Sequence, residues 1–197
     1  MFLNIITPCS RPKNLHQISK SINIPIKNYR WIVVFDMEEL PEPNLIPNNC
    51  EYYLHKSLND RWGNEQRNLA LTKIDEGHVH FLDDDTLIHP ELWGTIKDLD
   101  ENDFITFYQS YKDGKIRLKG GVGLFNSDTQ TFIVDSKIAK QNMFKINKSC
   151  SDGLYNMDCY FMSKKPKKIK KVLAIYNELS DTNHSNSTIM DMLHQKK

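Results

Sequence analysis

The sequence predicts an α/β fold with a mixed, mostly parallel central sheet flanked by helices. Along the first half, segments with the apolar character of strands alternate with segments of helical spacing. The second half mixes strands and helices less regularly. The 197 residues, of which 39% are hydrophobic, suffice for the core of one domain. We therefore expect one compact domain with two halves, residues 1–100 and 101–197.

The first half contains three strands and three helices, with a possible fourth strand. The predicted strands are residues 2–6, 31–35 and 78–82, with a possible short strand at 51–54. The predicted helices are residues 14–22, 64–74 and about 90–99. The continuous apolar run 31–35 is typical of a strand covered on both faces. Residues 7–12 contain two prolines and are predicted to be a non-helical loop.

The second half contains a hairpin followed by further strands and helices. Its predicted strands are residues 104–111, 115–118, 131–134 and 169–176. Its predicted helices are residues 136–143 and 155–163. Asp113-Gly114 predicts the hairpin turn between the first two of these strands.

Three adjacent carboxylates, Asp83, Asp84 and Asp85, follow the strand at residues 78–82. Ligands of open α/β sheets bind at the carboxyl ends of strands, which is where these side chains lie. If the chain stays extended, Asp83 and Asp85 point one way and Asp84 the other. Three adjacent negative charges repel unless a cation joins them, and their oxygens suit Mn²⁺ or Mg²⁺. The pattern predicts a metal site that keeps positions open for phosphate oxygens.

The alternative for these aspartates is a cap on the helix that follows at Pro90. One aspartate is enough for a cap, so the run of three favours the metal site.

Composition excludes several other classes of protein. A formal net charge of +1 gives no overall electrostatic case for nucleic acid or a membrane surface. The four scattered cysteines form no C-x-x-C pair and indicate free thiols in a cytoplasmic protein. We expect no signal peptide and no membrane span, because no apolar run approaches the roughly 20 residues that a span needs.

Four motifs occur in a fixed order within residues 5–95: Thr7-Pro8 with Arg11-Pro12, Trp31-Ile32-Val33-Val34-Phe35-Asp36, Gly63-Asn64-Glu65-Gln66-Arg67-Asn68-Leu69-Ala70-Leu71, and Phe81-Leu82-Asp83-Asp84-Asp85. Together they resemble the Rossmann-like GT-A-fold glycosyltransferases, and among these the inverting β-1,3-glucuronyltransferases. Phe35 and Thr86 differ from the family residues beside two motifs. The resemblance implies metal-dependent transfer of a hexose-type sugar from UDP-glucose, UDP-galactose or UDP-glucuronate to a carbohydrate or other small acceptor.

The resemblance also implies roles for individual residues. Donor-binding roles fall to Thr7, Pro8, Arg11, Asp36, Asn64, Arg67, Asp83 and Asp84. Asp85, the last residue of the D-x-D motif, would be the metal ligand. Thr7-Pro8 and Asp36 would line the uridine pocket, and Asp83 would bind the ribose. Turn chemistry for Thr7, a helix cap for Asn64 and a surface ion pair for Arg67 are the alternatives.

His184 lies in a polar loop and resembles the late histidine that many GT-A enzymes bring to the metal. Neutral imidazole is a suitable ligand for Mn²⁺, and the alternative is a solvated loop residue.

The catalytic base of an inverting transfer is expected to be a carboxylate of the second half. Asp158 is the first candidate, because a charge in an apolar, aromatic helix is costly unless it lines a cleft. Its place in the chain also resembles that of the family's base. Asp152 is the second candidate, with helix capping as its alternative role. Asp128 and Asp135 are the other acids in suitable surroundings.

Two other functions stay open. A sugar-nucleotide-forming nucleotidyltransferase would want a glycine-rich basic loop after the first strand, and residues 7–11 are poor for that. A non-catalytic nucleotide-sugar or glycan-binding protein is the second. The six lysines between Lys164 and Lys171 are most often a solvated face, with a membrane or an acidic acceptor as alternative partner.

Overall fold

A computed structural model describes residues 1–58, 62–146, 148 and 150–179. The strands are β1 Leu3–Cys9, β2 Tyr29–Phe35, β3 Glu51–Leu54, β4 His78–Phe81, β5 Leu87–Ile88, β6 Phe104–Ser110, β7 Ile116–Leu118, β8 Phe132–Asp135 and β9 Pro166–Ile175. The α-helices are α1 Leu15–Ser21, α2 Asn64–Leu71, α3 Leu92–Ile96, α4 Ser136–Ala139 and α5 Ser151–Met162. Every predicted strand and helix is present with shifted ends, and the two-residue strand β5 is an addition.

The strands form one sheet in the order β3-β2-β1-β4-β8-β6-β9-β5, with β7 paired to β6. The four strands β3, β2, β1 and β4 are parallel, as expected. Beyond β4 the pairing becomes antiparallel, except between β6 and β9. Four of the eight described pairings are therefore parallel, and the prediction of a mostly parallel sheet holds for the first half alone.

The sheet has an apolar core on each face. In β2, Trp31 and Val33 point into one core while Ile32 and Val34 point into the other, as strand alternation requires. Residues of α1 and α3 cover the first core, and residues of α2, α4 and α5 cover the second. The helices thus flank the sheet on both faces, and this explains the continuous apolar sequence of β2.

Strand β1 is longer than predicted and runs through Thr7 and Pro8 to Cys9. Proline is tolerated there because β4 pairs with β1 only as far as Ile6, so no neighbour needs the N–H that Pro8 lacks. On its other side β1 stays paired with β2 to its end. Beyond Ile6 the strands β1 and β4 are no longer paired, which opens a crevice between their carboxyl ends.

Helix α5 begins four residues earlier than predicted and includes Asp152 in its first turn. Gly153 explains the close packing of this turn, because a Cβ at that position would lie 2.5 Å from the Cα of Leu124. The hairpin turn is confirmed, with Gly114 at φ +82°.

Within the described residues, no helix is both long and apolar enough to cross a bilayer. All four cysteines are free thiols.

Candidate functional site

A cavity of about 440 Å³ opens at the carboxyl ends of β1 and β4. It lies where the sheet order passes from β1 to β4, with β2 on one side and β8 on the other. From β1 to β3 the chain adds strands on one side of β1, and β4 lies on the other side. Open α/β sheets bind ligands at such a switch point in strand order. The lining residues are Pro8, Cys9, Ser10, Arg11, Asp36, Trp62, Gly63, Arg67, Asp83, Asp84, Asp85, Arg117, Asp128, Asp152, Tyr176 and Asn177.

The three consecutive aspartates all line this cavity, so the predicted alternation of their side chains is wrong. Strand β4 ends at Phe81, and the chain then turns, with the Thr86 N–H donating to the Asp83 carbonyl at 3.2 Å. In a turn the two-residue period of an extended strand no longer applies. The helix-cap alternative is also excluded, because α3 begins only at Leu92 and has no side-chain cap.

Asp84 joins the loop after β4 to the loop after β1. Its Oδ2 accepts hydrogen bonds from the backbone N–H of Ser10 at 2.7 Å and of Arg11 at 2.8 Å. Its Oδ1 accepts from Arg11 Nε at 2.9 Å and from a second guanidinium nitrogen of Arg11. With both oxygens bonded and only 3% of its surface exposed, Asp84 holds Arg11 in place at the cavity wall.

Asp85 shares the same guanidinium. One nitrogen of Arg11 lies 2.7 Å from Asp85 Oδ2, and Thr86 Oγ1 donates to the other carboxylate oxygen at 3.3 Å. Burial raises the pKa of Asp85, and the attraction of Arg11 opposes that rise.

Asp83 is paired with the second arginine, Arg67, at 2.5 Å. Arg67 is almost fully buried and also donates to the carbonyl of Trp62 at 2.6 Å. Burial at the bottom of the cavity raises the pKa of Asp83, and Arg67 lowers it again in part. The surface ion pair proposed as the alternative for Arg67 is therefore a pair inside the site, in which Arg67 is buried and 29% of the Asp83 side chain is exposed.

The second half of the chain supplies the opposite wall. Arg117 of β7 donates to Asp128 at 2.6 Å and to Gln109 at 2.5 Å. The ring of Tyr176 stacks on this guanidinium, with 3.7 Å between its centroid and Cζ. Asp128 also accepts from the Gln130 N–H and so caps the 3₁₀ turn that follows it.

Asp152 differs from the other carboxylates described above in its surroundings. Burial and the negative charge of Asp128 raise its pKa. Within the described part of the chain, no lysine, arginine or histidine forms an ion pair with it. It therefore faces the cavity as a carboxylate without a cationic partner among those residues.

Several predicted site residues do not line the cavity. Thr7 is buried, and its Oγ1 accepts from the Trp31 indole at 3.0 Å. Asn64 is also buried, and its Nδ2 donates to the Lys145 carbonyl at 3.3 Å. Asp158 is exposed, because six residues of helix turn it about 120° away from the direction of Asp152. His184 lies outside the described residues.

The remaining predicted residues are brought together: Pro8, Arg11, Asp36, Arg67, Asp83, Asp84, Asp85 and Asp152. Four further residues line the cavity and were not predicted to do so: Trp62, Arg117, Tyr176 and Asn177. Arg117 carries one usable signal, since a lone arginine between Ile116 and Leu118 interrupts an apolar strand. Asn177 follows β9 with φ +50°, a backbone conformation in which asparagine is enriched.

The described lining residues carry six carboxylates and three guanidinium groups, a formal excess of three negative charges. Among the described residues no group of three or more His, Cys, Asp or Glu side chains is arranged as a metal cage. A magnesium-type ion needs no such cage, because it keeps several waters and takes one or two carboxylates together with substrate phosphates. The oxygen-rich, negatively charged wall fits such an ion.

The chain matches no protein-family model, and it matches no curated protein. Its fold matches solved structures. Residues 1–349 of S. aureus TarS superpose with a TM-score of 0.71 at 20% identity, over 89% of this chain and 60% of that one. The same fragment in complex with UDP-GlcNAc gives 0.68 at 19% identity, over 89% and 58%. Mannosyltransferase PcManGT from Pyrobaculum calidifontis, in complex with GDP-Man and Mn²⁺, gives 0.64 at 11% identity, over 89% and 56%.

The chain has the Rossmann-like GT-A fold of these neighbours, as predicted. It spans less than two thirds of each of them. The nearer resemblance to β-1,3-glucuronyltransferases stays a prediction. The fold also matches 4-diphosphocytidyl-2C-methyl-D-erythritol synthase from Anaerococcus prevotii, with a TM-score of 0.54 at 15% identity, over 98% of this chain and 93% of that one.

Proposed function

We propose that this protein is a metal-dependent glycosyltransferase that moves a hexose-type sugar from a UDP-sugar to a carbohydrate or other small acceptor, with inversion. One observation carries the proposal: the crevice between β1 and β4 holds arginines beside paired carboxylates on one wall, and on the other a carboxylate that no cation pairs with in the part of the chain that the structure describes. The first wall suits a charged nucleotide donor, and the second suits proton transfer. Neighbours of the same fold bind UDP-GlcNAc, UDP and GDP-Man.

The charge of the site explains why a metal is part of the proposal. A nucleoside diphosphate adds negative charge to a cavity that already has a formal excess of three. Asp85, with Asp83 beside it, would hold Mn²⁺ or Mg²⁺ and so reverse that repulsion. When bound, such an ion neutralises charge that develops on the departing diphosphate. His184 stays a candidate further ligand.

On the donor wall, this chain's own residues bind and orient. Arg11 is held by Asp84 with its fork at the cavity, where it can contact a phosphate or a base carbonyl. Asp36 and Pro8 lie at the ends of β2 and β1, and we assign them to the uridine. Thr7 and Asn64 act through neighbours, by fixing Trp31 and the start of α2.

On the acceptor wall, we assign the base to Asp152 in place of Asp158, because Asp152 lines the cavity and Asp158 is exposed. The acceptor hydroxyl attacks the anomeric carbon and passes its proton to the Asp152 carboxylate. The new C–O bond forms as the bond between the sugar and the diphosphate breaks, and UDP leaves. Burial raises the pKa of Asp152, which favours proton uptake, and no ion pair among the described residues occupies its oxygens.

The deciding experiment measures thermal shift with a panel of nucleotides and nucleotide sugars, with and without Mn²⁺, followed by release of UDP from the best donor. We expect UDP with Mn²⁺ to raise the Tm, since a ligand at 100 times its Kd stabilises by about 2.7 kcal/mol. Asp85→Ala should lose the metal-dependent shift, while Asp75→Ala, which alters an exposed aspartate, should keep it. Tighter binding of GDP than UDP would contradict the choice of base, and binding without turnover would indicate a binding protein.

A nucleotidyltransferase is the second candidate, because the Anaerococcus prevotii synthase matches this chain over nearly the full length of both. Such an enzyme binds a nucleoside triphosphate, which would also need a metal ion in this negatively charged cavity, so charge does not separate the two functions. The two functions release different products. Pyrophosphate formed from UTP or CTP with a sugar phosphate would support the nucleotidyltransferase, and UDP formed from a UDP-sugar would support the glycosyltransferase.

A further inference from the structure

A surface outside the cavity combines exposed apolar side chains with exposed lysines where α5 passes into β9. We call it the basic–apolar face, and its residues are Met143, Tyr160, Phe161, Met162, Lys164, Lys168 and Lys170. Lys167 pairs in register with Ile105 of the other core, so its side chain lies on the opposite face of the sheet from α5. Phe161 has 74% of its surface exposed, more than any other aromatic residue in the described ranges. Single exposed apolar residues are ordinary, but this face brings four together.

Contacts join these residues into one surface. The ring of Tyr160 lies 5.9 Å from that of Phe161. Asn142 Nδ2 donates to the sulfur of Met162 at 3.3 Å, which brings the neighbouring Met143 to the same end of the helix. Tyr160 also borders a groove of about 230 Å³ whose other edge contains Lys168.

The lysines of this face carry charge that the described residues do not neutralise. Two neighbours on the same strand segment are paired, Lys165 with Glu101 at 3.6 Å and Lys171 with Glu91 at 3.3 Å. The three lysines of the face, Lys164, Lys168 and Lys170, form no ion pair with the residues the structure describes. The nearby Asp103 is occupied, since it accepts from the Ser163 hydroxyl and from two backbone N–H groups and so fixes the turn from α5 to β9. A chain with a net charge of only +1 thus has a local basic patch.

We infer that the basic–apolar face docks on an anionic lipid surface, with Phe161 and Met162 entering the head-group region and the lysines against lipid phosphates. The groove between Tyr160 and Lys168 has the donors to take one phosphate-bearing head group. An acidic polysaccharide or nucleic acid would satisfy the lysines but leave the apolar side chains in water. A fluid lipid phase accepts both, and flexible methionines suit it. The docking does not depend on glycosyl transfer.

The orientation has a geometric consequence. Asp152 and Met162 are ten residues apart on α5, which corresponds to roughly 15 Å along the helix axis. The cavity end of α5 would therefore lie at most about that far from the lipid.

The test is co-sedimentation of the full chain with vesicles of phosphatidylcholine alone and with phosphatidylglycerol added. We expect binding to the anionic vesicles only, and a steep loss of binding with salt, because exposed charges are screened beyond about 10 Å at 0.1 M. A juxtamembrane lysine contributes about fivefold in partitioning, so Lys168→Glu with Lys170→Glu should weaken binding by at least about 25-fold. Phe161→Ser should weaken it independently.

The matched control is Lys27→Glu with Lys137→Glu, which changes the net charge equally at exposed lysines elsewhere. That variant should lose far less binding than the Lys168 and Lys170 pair. An unchanged melting temperature in all variants shows that folding is not the cause. Equal binding to neutral and anionic vesicles would overturn the proposal, and so would an equal loss of binding in the control variant. It would also be overturned if Phe161→Ser had no effect and dextran sulfate displaced the protein from the vesicles. That last result would identify a general polyanion site.

Discussion

The carboxylates on the two walls of the cavity differ in their cationic partners. We call the wall with Arg11 and Arg67 the donor wall and the wall with Arg117 and Asp152 the acceptor wall, after the roles proposed for them. On the donor wall, Asp83, Asp84 and Asp85 are all bound by Arg11 or Arg67. On the acceptor wall, Arg117 binds Asp128, but Asp152 has no ion pair among the described residues. Burial raises the pKa of carboxyl groups on both walls, so burial alone does not separate them.

The difference indicates that the two walls suit different tasks, ligand positioning and proton transfer. Charge-assisted hydrogen bonds fix the position of a side chain, and they suit a wall that must hold a charged ligand in one orientation. A general base needs an accessible lone pair and a pKa that favours taking the proton. The donor wall has the first property and Asp152 has the second.

The largest expected effect is on the rate of sugar transfer, and it comes from a change confined to the acceptor wall. Asp152→Asn should lower transfer by roughly 10²- to 10⁴-fold, the usual share of general base catalysis, and leave UDP and metal binding intact. Asp158→Asn is the matched control on the same helix and should transfer at nearly the wild-type rate, since its side chain is exposed. The measurement is UDP release under saturating donor. The reverse ranking of the two variants would restore Asp158 as the base.

The second-largest expected effect is the loss of stability when the ion pair between Arg67 and Asp83 on the donor wall is removed. Arg67→Met should cost about 3–5 kcal/mol of stability, because it leaves Asp83 without its cationic partner. Arg30→Met removes the partly exposed pair with Glu51 and should cost only about 1 kcal/mol. Urea unfolding of both variants checks the difference. Equal losses would show that the donor-wall pair is screened as if it were on the surface.

How far the sequence predicts this molecule differs between the two halves. In the first half, parallel strands bring their carboxyl ends to one edge, so residues after β1, β2 and β4 meet without further information. Pro8, Arg11, Asp36 and Asp83 could be placed in this way. Thr7 could not, because the sequence does not show that β1 continues past Ile6 and turns this side chain towards Trp31.

In the second half, the site depends on non-local pairing that no local pattern shows. Arg117 reaches the cavity only because β7 pairs with β6, and Tyr176 because β9 runs parallel to β6. The sequence does not show where α5 begins, and this boundary decides which of Asp152 and Asp158 lies near the cavity. With α5 starting at Ser151, Asp152 occupies the first turn near the cavity, and the facing direction of Asp158 follows from the helix period.

A smaller effect tests the placement of Thr7. Thr7→Val should cost about 1–3 kcal/mol, because it leaves the buried Trp31 N–H without its acceptor, and UDP affinity should not change. Thr7→Ser keeps the hydroxyl and should cost less. Thermal unfolding and UDP titration of both variants make the measurement. A loss of UDP affinity without loss of stability would return Thr7 to the uridine pocket.

The smallest effect concerns the pH dependence of stability at Asp152. Its folded-state pKa is raised above the ordinary value of about 3.9, so the folded protein binds more protons than the unfolded chain between the two values. Stability should therefore fall as pH rises from about 4 through the raised pKa. Asp152→Asn removes this loss and should be more stable than wild type at pH 7, with a higher Tm. Near pH 4 the two should melt together. An Asp152→Asn variant that melts below wild type at pH 7 would show that the carboxylate is satisfied in the folded state, and the contrast between the two walls would then disappear.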